Sequence, residues 1–160
     1  MVNVEDIRQT CNQLAGGCGI SLAKEDEPKM RTPKVYMDFT IFGNHFVPQE
    51  VTKRLGIIPT KFDEYHRGYD PETQTFVYES YWRLEERQHT WMVEDCLKQL
   101  TAKLIPCKDQ IIEVERCFDA YVRLNIAITL NRTNGPGMFL DSETLQFLAN
   151  INASVDVDIQ

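Results

Sequence analysis

The chain reads as an α+β domain built on a mainly antiparallel sheet, and three observations carry that reading. Residues 34–41 and 121–130 alternate apolar with polar side chains, which is strand periodicity. The block Pro48-Gln49-Glu50-Val51-Thr52-Lys53-Arg54-Leu55-Gly56-Ile57-Ile58-Pro59 carries the start and stop signals of a short helix. Val93, Cys96, Leu97, Leu100 and Leu104 recur at helical spacing and form one apolar stripe.

Residues 1–33 read as an N-terminal arm or helical cap with a linker. Val4 to Leu14 can form a helix with Ile7, Cys11 and Leu14 on one side, and Gly16, Gly17 and Gly19 break it. Lys24 to Lys29 is a charged run, and Pro28 and Pro33 bracket the linker. Residues 34–160 then form a single α+β domain.

The first strand begins at Lys34, with Val35, Met37, Phe39 and Ile41 on one side and Tyr36, Asp38 and Thr40 on the other. Helix 48–55 follows. Proline suits its first turn, where a backbone N–H would lack a partner. Gly56 supplies a left-handed end and Pro59 prevents a restart. Thr60 to His66 is a short strand, and Gly68, Asp70 and Pro71 mark a turn. Phe76 to Leu84 is a third strand; Phe76, Tyr78 and Trp82 share its core side, opposite Val77, Glu79, Tyr81 and Arg83. Thr90 is placed to cap the next helix, whose first turn holds Glu94 and Asp95. Pro106 interrupts it, and 108–118 continues helically with Ile111, Ile112 and Val114.

Val122, Leu124, Ile126, Ile128 and Leu130 point one way along the next strand, and Tyr121, Arg123, Asn125, Ala127 and Thr129 point the other. Asn134 to Gly137 is a loop. Asp141 or Ser142 caps a helix holding Leu145, Leu148 and Ala149, and 153–159 alternates again. The order is β-α-β-β-α-β followed by α-β, which matches a ferredoxin-like split βαβ arrangement with a C-terminal αβ extension. One-sided alternation puts helices 48–55, about 90–105 and 142–150 on one face. The other face is polar and carries Tyr36, Asp38, Glu79, Tyr81, Arg83, Tyr121, Arg123, Asp156 and Asp158.

Leu55-Gly56-Ile57-Ile58-Pro59 after a short helix, Trp82-Arg83-Leu84, the helix with Leu97 and Leu100, and Ser142-Glu143-Thr144-Leu145 before a last strand resemble a family. It is a bacterial family catalogued as a domain of unknown function, number 4279, and the resemblance spans about residues 34–160. It implies a small, usually bacterial, α/β domain and brings no catalytic residues. Asp158-Ile159-Gln160 departs from the aromatic finish that the family pattern implies.

A net charge of -7 and a pI of about 5.0 argue against nucleic-acid binding, which needs clustered Lys and Arg. They argue equally against an anionic membrane surface, and no segment is long and apolar enough to span a bilayer. Cys11, Cys18, Cys96, Cys107 and Cys117 are odd in number and form no C-x-x-C pair, the pattern of reduced, intracellular thiols. The first residues hold no basic run leading into an apolar stretch, so a cytoplasmic protein is expected. His45, His66 and His89 are scattered, with no Cys beside any of them, so no metal is expected. Gly135-Pro136-Gly137 lacks the residues of a phosphate loop, and no cofactor is expected. Asn131-Arg132-Thr133 matches a glycosylation sequon that has no meaning inside a cell.

The leading expectation is a non-catalytic protein-binding module, an immunity or antitoxin-like partner of a basic effector. Its binding residues are Tyr81, Arg83, Tyr121, Arg123, Asp38 and Glu79 on the polar face, because exposed Tyr and Arg are enriched at interface hot spots. The loop at Asn44 and His45 is the fallback site. Two alternatives stand beside it: a ligand-sensing regulatory domain, and a small enzyme using His45 or His66 with nearby carboxylates.

Overall fold

Alternation along β1 (Lys34–Gly43) sorts its side chains into two environments. Val35, Met37, Phe39 and Ile41 are at most 1% exposed and lie in the hydrophobic core. β1 is also the middle strand. In this computed structural model, which describes residues 32–44, 46–130 and 135–160, the sheet order is β2-β3-β1-β4-β5. The described residues all fall in one compact unit, Arg31–Gln160. The arm at 1–31, His45, the sequon and Asn134 lie outside the described residues.

The elements after β1 are α1 (Pro48–Leu55), β2 (Lys61–Asp70), β3 (Thr75–His89), α2 (Val93–Leu104), a 3-10 turn (Ile105–Cys107), α3 (Lys108–Phe118), β4 (Tyr121–Thr129), α4 (Ser142–Asn150) and β5 (Ser154–Ile159). β1 is antiparallel to both β3 and β4, and β2 is antiparallel to β3. These four strands are compatible with the ferredoxin-like expectation. β5 joins β4 in parallel, because α4 carries the chain back before it re-enters, and so the sheet is mixed.

The helices cover one face. Val51 and Leu55 of α1, six residues of α2 including Cys96 and Leu100, Ile111 and Val114 of α3, and Phe147 and Leu148 of α4 are buried. Their apolar members share one cluster with Val122, Leu124, Ile126 and Ile128 of β4. Trp82 of β3 is fully buried, and its indole N–H donates to the Thr52 hydroxyl at 3.0 Å, which fixes α1 against the sheet. Gly56 ends α1 at φ 67, a conformation open to glycine at little cost. Arg54 reaches Glu113 at 2.6 Å and the Cys107 thiol donates to the Leu55 carbonyl at 3.3 Å, tying α1 to the turn and to α3.

Several expectations are corrected. The β2–β3 hairpin is longer than predicted: β2 runs to Asp70, the turn is Pro71–Gln74, and β3 extends to His89. Glu85 to His89 are therefore strand residues, held by pairing with β1 down to Lys34 opposite His89. At its other end β3 outruns β1, whose pairing stops at Gly43 opposite Ser80. Beyond that point β3 pairs with β2 alone among the described residues, and Phe76, expected in the core, is 55% exposed. Its ring meets Tyr69 edge-on at 5.5 Å and has the Arg67 guanidinium 3.6 Å from its centroid. Thr90 is not the cap of α2: its hydroxyl accepts from the Met92 amide at 2.9 Å, closing a turn, and the helix starts at Val93. Asp141 does cap α4, accepting from the Thr144 amide at 2.7 Å.

This face assignment is testable by urea melts. Leu124→Ala should cost about 2–5 kcal/mol through transfer and cavity terms. Arg123→Ala, on the opposite side of the same strand, should stay within about 0.5 kcal/mol. The reverse ranking would mean that the two faces are exchanged.

Candidate functional site

Residues opposite one another in a ladder project to the same side, so the registers lay out the uncovered face row by row. The first row is Asp63, Tyr81, Phe42 and Tyr121, and the second is Lys61, Arg83, Thr40 and Arg123. The third is Glu85, Asp38, Asn125 and Asp156, and the fourth Arg87, Tyr36, Ala127 and Asp158. The last is His89, Lys34 and Thr129.

The centre of this face is polar but buried. Asp38 is 5% exposed and Thr40 is 0%. Thr40 donates to Asp38 Oδ1 at 2.6 Å and accepts from Arg83 Nε at 2.9 Å. Asn125 donates to Asp38 Oδ2 at 3.1 Å, and Arg83 Nε lies 3.5 Å from Asp38 Oδ1. A buried carboxylate is tolerable only when it is paired and hydrogen-bonded, and here both oxygens are occupied. Beside it, Glu85 receives Tyr36, Lys61 and Arg87 at 3.0, 2.9 and 3.0 Å. Burial pushes the Glu85 carboxyl upward, but Lys61, Tyr36 and Arg87 together hold it below its ordinary value. Burial, followed by Asp38 and Glu85, raises the Tyr36 hydroxyl well above its usual range.

Around that centre the Tyr and Arg side chains form a platform. Tyr121 stacks on Phe42 with centroids 5.0 Å apart and planes 13° from parallel. The Arg123 guanidinium lies 5.2 Å from the Phe42 ring, and that of Arg83 lies 5.1 Å from Tyr81. Tyr121 donates to Glu79 at 2.9 Å and is 41% exposed. Partial burial and the Glu79 carboxylate push its hydroxyl up to about 12, with Arg123 opposing. The platform is thus fixed in geometry and open to solvent, which lowers the entropy cost of docking a partner on it.

The structure brings Tyr81, Arg83, Tyr121, Arg123, Glu79 and Asp38 onto one contiguous face. Asp38, expected as a contact residue, is instead buried and is bound by Arg83, Thr40 and Asn125. Asn44 is an exposed bend at the end of β1. His66 has its backbone in β2 opposite Glu79, and His89 is in β3 at the far end of the face. Among the described residues no group of three or more His, Cys, Asp or Glu is placed to hold a metal ion. Sequence reasoning missed Phe42, although it continues the alternation of Tyr36, Asp38 and Thr40. It also missed Lys34 and Arg87, whose proximity depends on a register that the sequence does not display. With Tyr36 and His89 they line a cleft of about 480 Å³.

A family model described as a domain of unknown function, DUF4279, matches residues 33–160. No curated protein and no solved structure matches the chain.

Two measurements check the chemistry of this face. Asp38→Ala should destabilise the fold by about 1–3 kcal/mol in denaturant melts, because it strands the buried Thr40 hydroxyl and the half-buried Asn125 amide. Tyr121 ionises near 10.0 when unfolded and near 12 when folded, so between those values the folded state keeps a proton that the unfolded state has lost. Its stabilising contribution is complete below pH 10 and is lost as pH rises towards 12. The stability of Tyr121→Phe should fall less steeply across that window than that of the wild type.

Proposed function

Because the chain belongs to the DUF4279 family, whose description names no activity, we propose from its geometry that it is a non-catalytic protein-binding module. The observation that carries this reading is the platform of Phe42, Tyr121, Arg123, Tyr81 and Arg83 on a sheet face that the helices leave open. Tyr and Arg offer large contact area and directional hydrogen bonds, and they dominate interface hot spots. Side chains already held by stacking and by the Tyr121–Glu79 bond have little freedom left to lose.

The partner is a basic protein, and an immunity or antitoxin-like role against a basic effector is the form of the proposal. The net charge of -7 supports it, since complementary charge speeds encounter and excludes acidic competitors. The proposal sets this binding in a bacterial cytoplasm, in keeping with an odd set of cysteines that forms no C-x-x-C pair. Among the described residues no helix is long and apolar enough to cross a membrane.

Affinity capture from the native cell, with immobilised wild type, Tyr121→Ala and Arg123→Ala, tests the reading. A basic protein should be retained by the wild type and lost at least about tenfold from each variant; Arg123→Ala should melt like the wild type, and Tyr121→Ala should remain folded at the capture temperature. Its association rate should fall as salt is raised. Equal retention by all three would remove this platform as the binding surface.

A further inference from the structure

At the Lys34 end of the open face, three basic side chains surround one cleft. Lys34 stands opposite His89 on β3 and opposite Thr129 on β4, while Arg87 stands opposite Tyr36 one row further in. The cleft measures about 480 Å³, within the range of small-molecule sites.

The charge here is not balanced from within. Lys34 and His89 have no ion-pair partner among the described residues. Arg87 pairs with Glu85 at 3.0 Å, but its side chain is 65% exposed, so one edge of the guanidinium is free to meet a ligand. The carboxylates nearest the cleft on β1 and β3 are already engaged, Glu85 by Lys61 as well as Arg87, and Asp38 by Arg83, Thr40 and Asn125, while Asp158, in the Arg87 row but on β5, accepts from Gln160. The Arg87 guanidinium also lies 4.9 Å from the Tyr36 ring, which keeps it beside the cleft. In a chain of net charge -7, this gathering of basic side chains runs against the average.

We propose that this cleft binds a small organic anion bearing a phosphate or carboxylate group. Arg87 and Lys34 pair with its charge, and Thr129 supplies a hydroxyl. The planar guanidinium presents a fork of N–H donors that matches two oxygens of either group, and the ammonium of Lys34 adds a point charge. The volume leaves room for an organic body beyond the charged group. Phosphate and carboxylate share this recognition chemistry and are told apart by the choice of probe. The site stands apart from the Tyr121 platform, so either assignment can fail alone.

The test is a titration of the whole ¹⁵N-labelled chain at constant ionic strength with inorganic phosphate, with adenosine monophosphate and with citrate. The expected result is saturable movement of the Lys34, Tyr36, Arg87, His89 and Thr129 amides with at least one probe. A response to phosphate and the nucleotide but not citrate assigns phosphate chemistry; citrate alone assigns carboxylate. Arg87→Gln and Lys34→Gln should each weaken that binding at least about tenfold. Arg116→Gln, which removes an equal charge from an exposed position on α3, should leave it unchanged. Should Arg87→Gln lower the melting temperature, Lys34→Gln carries the test, because Lys34 is exposed and has no ion pair to lose among the described residues. Non-saturating shifts spread over all basic residues with every probe, or equal weakening by Arg116→Gln, would overturn the proposal.

Discussion

The pairing of β1 on both of its edges is the constraint on which the rest of the domain depends. β1 lies opposite β3 from Lys34 to Gly43 and opposite β4 from Lys34 to Phe42, in continuous register. The register is selected on the dry side, where Val35, Met37, Phe39 and Ile41 meet the helices. A slip of one residue would turn all four towards solvent and drive Asp38 and Thr40 into the core, a change opposed by both apolar transfer and charge burial. The wet side reinforces the same register. Asn125 reaches Asp38 because it is directly opposite, and Arg83 reaches Thr40 for the same reason.

That double selection has a functional consequence. The helices are all committed to one face, since α1 to α4 share a single apolar cluster with the core side of the sheet. The second face must then satisfy itself. It does so in layers: a buried carboxylate bound on both oxygens, then Glu85 with its three donors, then rings and guanidiniums stacked above. Groups that are already satisfied hold their positions without a ligand, which is the condition for a surface that recognises a partner with little rearrangement.

Charge is distributed unevenly over this surface. On β1 and β3 the Lys34 end is basic, with Arg87 and His89 beside it, whereas Asp156 and Asp158 extend the third and fourth rows onto the edge strand β5. Gln160 donates to Asp158, and every residue of β5 is exposed. Val155, Val157 and Ile159 alternate with these aspartates on an edge that inward charges would ordinarily protect against pairing with a second copy. Two such edges laid together would bring aspartates near one another, and like charges there are destabilising.

Local rules made some of this legible from the chain. Gly56 and Pro48 bounded α1, Asp141 stood ready to cap α4, and the unbroken alternation of β4 identified both the buried Leu124 and the outward Arg123. These features depend on residues within one turn or one strand of each other, and so the sequence alone determined them. Their convergence did not follow from local rules. Whether Phe76 was core or surface depended on where β1 stopped. Whether Thr90 capped a helix depended on where α2 began. Whether Asp38 was buried depended on neighbours from β3 and β4, Arg83 and Asn125, the latter 87 residues away. Each of these answers is set by pairing between distant segments. The composition of a strand says which faces it has, but only its neighbours in space decide which of those faces is covered, which is wet, and which basic groups meet at one end.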